Sequence, residues 1–230
     1  LFLHGYVPDY DKHLWWTPFE EFNALFEKQG AFLAIPFGRS NADFLGPGEV
    51  DVLDVLTEMK RLYPIDEERI YLYGYSMGGM GAYTLMGHYP GLWAGAVVSA
   101  GRAYSPLLMH TGGLESLHPF KRFLIRTDQP LDLCENFAHV PLKIYHGAQD
   151  QFVPLSEAER MGQRVRELGG QAEVQAVQGD HYSLFDVMAD EKVLQWLLAQ
   201  RRRKEASPRR VRNFSLRFGQ NEDFAFHHVA

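Results

Sequence analysis

Apolar residues fall into short continuous runs separated by longer stretches where they recur every three or four positions. The runs are Leu1-Phe2-Leu3, Ala31 to Phe37, Ile70 to Tyr75, Ala94 to Ala100, Leu142 to Tyr145 and Ala172 to Val177. Each is rich in aliphatic or aromatic residues and ends near turn residues, which predicts buried strands. The periodic stretches predict helices. Thr17-Pro18-Phe19-Glu20 supplies an N-cap, a proline at the first helical position and a capping-box glutamate, with Phe22, Leu25 and Phe26 behind it and Gly30 as the stop. A second helix carries Glu49, Asp51 and Asp54 early and Lys60 and Arg61 late, an order that suits the helix dipole, and Pro64 ends it. A third follows Ser76 as far as His88-Tyr89-Pro90. A fourth is expected behind a capping box at Ser156-x-x-Glu159, with Ala158, Met161, Val165 and Leu168 on one face and Gly169-Gly170 closing it. A last one spans about Asp190 to Gln200. Residues 101–140 lack clean periodicity and are expected to form a small cap with one or two short helices.

Six strands alternating with helices predict an α/β fold, with a mostly parallel sheet and helices on both faces. Chemistry in such a fold belongs on the loops at the carboxyl ends of the strands. The chain has 230 residues, 46% hydrophobic and 23% charged, enough for one globular α/β domain.

Net charge is −6, but residues 201–230 carry eight Lys/Arg against three Asp/Glu. The body is therefore strongly acidic, which argues against nucleic acid as a partner. The basic run at Arg201 to Lys204 fits a helix C-terminus passing into a linker, and Val211 to Phe218 alternates like a half-buried strand. Residues 1–200 are thus expected to be one domain and residues 201–230 a basic linker and tail, the start of a further β module. The single cysteine, Cys134, excludes an internal disulfide and gives no metal-ligand cluster, and no cofactor is expected. No apolar run approaches the ~20 residues of a membrane span. The chain begins inside a strand, so it reads as part of a longer protein. Compartment and oligomeric state stay open.

The chemistry-bearing stretch is Gly74-Tyr75-Ser76-Met77-Gly78, a G-x-S-x-G string with a strand before it and a helix after it. That context is the nucleophile elbow, where a serine sits on a strained turn at a helix N-terminus. Serine needs a base at neutral pH. Chain order points to the loop after the last strand, where His181 stands in Gly179-Asp180-His181-Tyr182. Asp150 is the acid placed to orient it, with Asp128 and Asp132 as fallback choices; Asp180, the neighbour of His181, reads better as a loop cap. Backbone amides of Met77 and Tyr6 are the expected oxyanion donors.

Leu3-His4-Gly5, Gly74 to Gly79, His146-Gly147-Ala148-Gln149-Asp150 and Gly179-Asp180-His181 together resemble the blocks of the α/β-hydrolase superfamily. Gly46 to Asp51 and Asp66 to Tyr71 are similar to its prolyl-oligopeptidase-like branch of peptidases and esterases, relatives of feruloyl esterases and polyhydroxybutyrate depolymerases. The resemblance implies Ser76, Asp150 and His181 as the triad. It also implies one or more strands ahead of the His4-Gly5 block. The expected activity is hydrolysis of a small ester through an acyl-enzyme, with peptide cleavage the near alternative and a non-catalytic binding domain the distant one. Trp15, Trp16 and Tyr10 are placed either to stack on substrate or to pack at the mouth of the following helix. Arg102 and Tyr104, just past a strand end, are candidates to meet a carboxylate or carbonyl of the substrate.

Overall fold

The computed structural model describes residues 1–6, 20–104 and 114–202. Trp15, Trp16, Tyr10, the Thr17-Pro18 cap and the tail beyond Arg202 lie outside the described residues. Five parallel strands lie side by side in chain order: β1 (Phe2–Leu3), β2 (Tyr71–Tyr75), β3 (Gly95–Ser99), β4 (Leu142–Gly147) and β5 (Ala172–Val177). The helices are α1 (Glu20–Lys28), α2 (Pro47–Leu62), α3 (Met77–His88), α4 (Pro119–Arg126), α5 (Pro130–Phe137), α6 (Leu155–Glu167), α7 (Leu184–Met188) and α8 (Glu191–Leu198).

Successive strand residues point to opposite faces, so each central strand feeds two cores. Leu72 and Val98 join Val52, Leu85, Phe137 and Met161 beneath α2, α3, α5 and α6. Tyr73 and Val97 join Phe22, Phe26, Leu184 and Leu194 on the other face, beneath α1, α7 and α8. Helix α3 is buried along its whole length, which is why its sequence is apolar or small all round rather than amphipathic.

Residues 31–37 are a correction to the six-strand expectation, since they form no strand. The Phe2 amide donates to the Ala34 carbonyl at 2.8 Å, and the pairing does not grow into a ladder. Two causes are visible. β1 offers only two residues to pair with, and Pro36 has no N–H to give. This extended segment still lies on the far side of β1 from β2, so the chain moves outward after β1 and then returns past it. That reversal puts a topological switch point between the carboxyl ends of β1 and β2, where open α/β sheets bind ligands.

Other boundaries moved for local reasons. The expected capping box at Ser156 is not used: α6 already starts at Leu155 with Pro154 as N-cap, so Ser156 lies inside the first turn. Helix α7 was not anticipated, because five residues are too few to display a period. Within the 101–140 excursion two roles separate. α5 is core, with Leu133, Cys134 and Phe137 buried. α4 lies outside it, with Phe120, Phe123 and Leu124 exposed.

Candidate active site

Ser76 follows the last residue of β2 and caps α3 with φ 54° and ψ −114°. A non-glycine residue there carries about 1–3 kcal/mol of strain. Its surroundings hold it in place. The Ser76 amide donates to the Ser99 carbonyl at 2.8 Å, and its own carbonyl accepts from Gly79 at 2.9 Å and Met80 at 3.2 Å. The flanking glycines are required by close approach. A Cβ on Gly74 would collide with the carbonyl of Gly78, and one on Gly78 with the carbonyls of Leu3 and His4. A Cβ on Gly5 would stand 2.9 Å from the Tyr75 ring and 3.4 Å from Ser76 Cβ. The elbow therefore rests directly on the end of β1, and the backbone leading to Tyr6 runs beside Ser76. Met77, the first residue of α3, has an amide with no acceptor inside its helix.

Three side chains from three strand ends form one hydrogen-bonded chain. His181 Nδ1 lies 2.6 Å from Asp150 Oδ2, and His181 Nε2 lies 2.9 Å from Ser76 Oγ. An ionised carboxylate only accepts, so Nδ1 carries the proton and Nε2 is free to accept from the serine. Asp150 does a second job at the same time. Its Oδ1 accepts the amides of Phe152 at 2.8 Å and Val153 at 2.9 Å, closing the turn that follows β4. Burial pushes the Asp150 carboxyl up, but the hydrogen bonds from His181, Val153 and Phe152 outweigh it, and its pKa lies below the ordinary value.

The other acids are engaged elsewhere. Asp180 turns onto its own loop and accepts the amides of Tyr182 and Ser183 at 3.0 and 3.1 Å. Asp132 pairs with Arg126 at 2.9 Å, and Asp128 lies 3.6 Å from His88. Arg102 comes to the Asp150 turn, donating to the Phe152 carbonyl at 2.9 Å. Tyr104 faces α6 instead, its hydroxyl accepting from Arg160 at 3.2 Å. The amides of Ala103 and Tyr104 are fixed by Glu157 Oε2 at 2.8 and 3.4 Å.

Four residues beside the triad carry no assigned role in the sequence reading. The hydroxyl of Tyr75, the first of the two unspecified residues of G-x-S-x-G, donates to the His181 carbonyl at 3.2 Å. His146 donates through Nε2 to the Val153 carbonyl at 2.7 Å, with Asp150 Oδ2 3.4 Å away, and its buried Nδ1 has no partner. Burial holds its pKa down, more than the Val153 hydrogen bond and the Asp150 charge raise it, so the ring is neutral at pH 7. The rings of Phe152 and Tyr182 stand against the His181 imidazole at centroid distances of 5.3 and 5.9 Å. His146-Gly147 at the end of a strand shortly before Asp150 was a usable signal. A lone ring in a turn was not.

Among the described residues, Glu49, His88 and Asp128 come together in a way that suggests a metal site. The two acids face opposite ring nitrogens, Glu49 Oε1 at 3.0 Å from Nδ1 and Asp128 Oδ1 at 3.6 Å from Nε2. Nε2 already meets the Thr127 carbonyl at 2.8 Å. As they stand, these contacts form a hydrogen-bonded cluster tying α2 and α3 to the α4–α5 connection.

A parallel sheet with helices on both faces, a strained serine on the strand-to-helix turn and acid and histidine on later strand ends define the α/β-hydrolase fold. Residues 48–200 match the family model described as the prolyl oligopeptidase family, and the chain belongs to that family of serine hydrolases. Comparison with curated proteins finds no matching sequence. Solved structures share the fold. An S-formylglutathione hydrolase from Agrobacterium tumefaciens is 16% identical at a TM-score of 0.64, covering 86% of this chain and 82% of that one. Est1E from Butyrivibrio proteoclasticus is 16% identical at 0.61, covering 86% and 87%. The Pyrococcus horikoshii acylaminoacyl peptidase is 20% identical at 0.55, covering 70% of this chain and 29% of that one. This chain thus spans under a third of that peptidase.

Proposed function

We propose that this protein hydrolyses carboxylic esters through an acyl-enzyme. The observation that carries the reading is the unbroken hydrogen-bonded chain from Asp150 through His181 to Ser76. Ser76 Oγ attacks the ester carbonyl while its proton passes to His181 Nε2. The carbonyl oxygen becomes an oxyanion held by the amides of Met77 and Tyr6, and Asp150 stabilises the imidazolium. Collapse breaks the bond to the alcohol oxygen, which leaves with the proton from Nε2. Water then attacks the acyl-serine, gives its proton to Nε2, and Ser76 regains one as the acid departs.

Peptide cleavage by the same residues is the second reading, favoured by the family model itself. Esters are preferred because relatives matched along most of both chains include Est1E and a protein named as a hydrolase of S-formylglutathione, whose S-formyl bond is a thioester rather than a peptide bond. The acylaminoacyl peptidase is matched over only 29% of its length. The test is turnover of p-nitrophenyl acetate and of a chromogenic peptide, with fluorophosphonate labelling of Ser76. Ester turnover and labelling, both lost in Ser76→Ala, are expected. A protein that neither turns over the ester nor takes the label overturns both readings. Peptide cleavage without ester turnover selects the second.

A further inference from the structure

The nitrogen that takes the serine proton must return it to the leaving group. His181 Nε2 is 2.9 Å from Ser76 Oγ, so the departing oxygen comes within hydrogen-bonding reach of that same atom. Whatever flanks the imidazole therefore flanks the leaving group. On the inner side stands the buried ring of Tyr75, 5.2 Å away. On the outer side stand Phe152 and Tyr182, near-perpendicular to the imidazole at 66° and 89° and to each other at 77°, with centroids 6.0 Å apart.

Phe152 and Tyr182 are 55% and 58% exposed, although each belongs to a turn that is fixed in place and the Tyr182 ring is backed by Phe185 at a centroid distance of 6.3 Å. The Phe152 amide is held by Asp150 and its carbonyl by Arg102, and the Tyr182 amide is held by Asp180. Rings left open to solvent on pinned backbone are preorganised rather than loosely displayed. A corner of near-perpendicular rings meets a third ring through a face of one and an edge of the other, at the separations aromatic pairs prefer. We propose that Phe152 and Tyr182 form a leaving-group subsite for a flat aromatic alcohol, aryl or arylmethyl. The subsite rests on the hydrolase reading above.

The test compares benzyl acetate with cyclohexylmethyl acetate, which share an acyl group and differ mainly in the flatness of the alcohol. The kcat/KM ratio is expected to favour benzyl by about tenfold. Phe152→Leu and Tyr182→Leu, which keep apolar bulk but remove the flat face, are expected to lower that ratio severalfold each, with melting curves confirming that they fold. A ratio near one in the native protein overturns the subsite, as does a ratio unchanged in both variants. A protein that labels at Ser76 yet leaves benzyl acetate intact overturns it too, while the hydrolase reading stands. Absence of both labelling and ester turnover sinks the hydrolase reading itself.

Discussion

Two histidines in this molecule share a geometry and differ in what it permits. His181 meets Asp150 at 2.6 Å through Nδ1 and Ser76 Oγ at 2.9 Å through Nε2. His88 meets Glu49 at 3.0 Å through Nδ1 and the Thr127 carbonyl at 2.8 Å through Nε2. The acid contacts alone do not tell them apart. The third partner does. A serine hydroxyl can donate or accept, so the proton on that side of His181 can move. A backbone carbonyl only accepts, so the partner facing Nε2 of His88 has no proton to give back. Position completes the contrast: His181 sits at a strand end beside a strained turn, whereas His88 is fully buried at the end of α3.

The largest expected effect comes from breaking the first pair. Asp150→Asn should lower kcat by about 10⁴-fold, because the amide can favour the wrong tautomer of His181 while the fold persists. Glu49→Gln, the matching change in the second pair, should leave ester turnover within about threefold. Steady-state kinetics on both variants checks the contrast, and comparable losses of kcat would end it.

The second pair should matter for folding instead. Glu49→Leu leaves a buried histidine without its acid partner and should cost about 1–3 kcal/mol in urea unfolding. The double variant Glu49→Leu with His88→Leu should recover part of that loss, since neither member is left stranded. A double variant as unstable as the sum of the two singles would mean the pair is not coupled.

The strained elbow sharpens the contrast further. Ser76→Gly removes the Cβ that makes φ 54° unfavourable, so it should be inactive yet more stable than Ser76→Ala by about 1 kcal/mol. Thermal melts of the two inactive variants check this.

The smallest effect is a pH dependence. Burial holds the pKa values of His139 and His146 below the ordinary histidine value, against weaker opposing hydrogen bonds from the rings to the Pro90 and Val153 carbonyls. Below about pH 6.5 the unfolded chain then binds protons that the folded chain refuses. Their contribution to stability is therefore full above about pH 6.5 and declines as pH falls through that value toward the lower folded ones. Tm should drop between pH 7.5 and 5.5, and His139→Gln should make the drop shallower.

Local signals carried much of the candidate site. Gly74, Gly78 and the flanking strand and helix made Ser76 readable, because an elbow needs specific glycines at specific offsets. His181 and Asp150 were readable through their order along the chain. What stayed hidden were residues whose role is a distance across the fold. Glu49 looked like an acid placed for the helix dipole and is a buried partner of His88. Ser156 looked like a cap, but Pro154 starts the helix earlier. Residues 31–37 had strand composition, yet a ladder needs a partner, and β1 is two residues long.

The sequence by itself determined the alternation of strands and helices, the elbow and the set of groups able to serve it, because these depend on periodicity and on offsets of a few residues. Only the tertiary structure brought Asp150, the acid that chain order ranked first, to 2.6 Å from His181 and engaged Asp128, Asp132 and Asp180 elsewhere. It alone decided that His146 sits under the Asp150 turn, and that Phe152 and Tyr182 stand open beside the imidazole. Those outcomes depend on which strand ends lie side by side, and a parallel sheet brings together residues separated by 31 and 105 positions. No local pattern encodes distances of that kind.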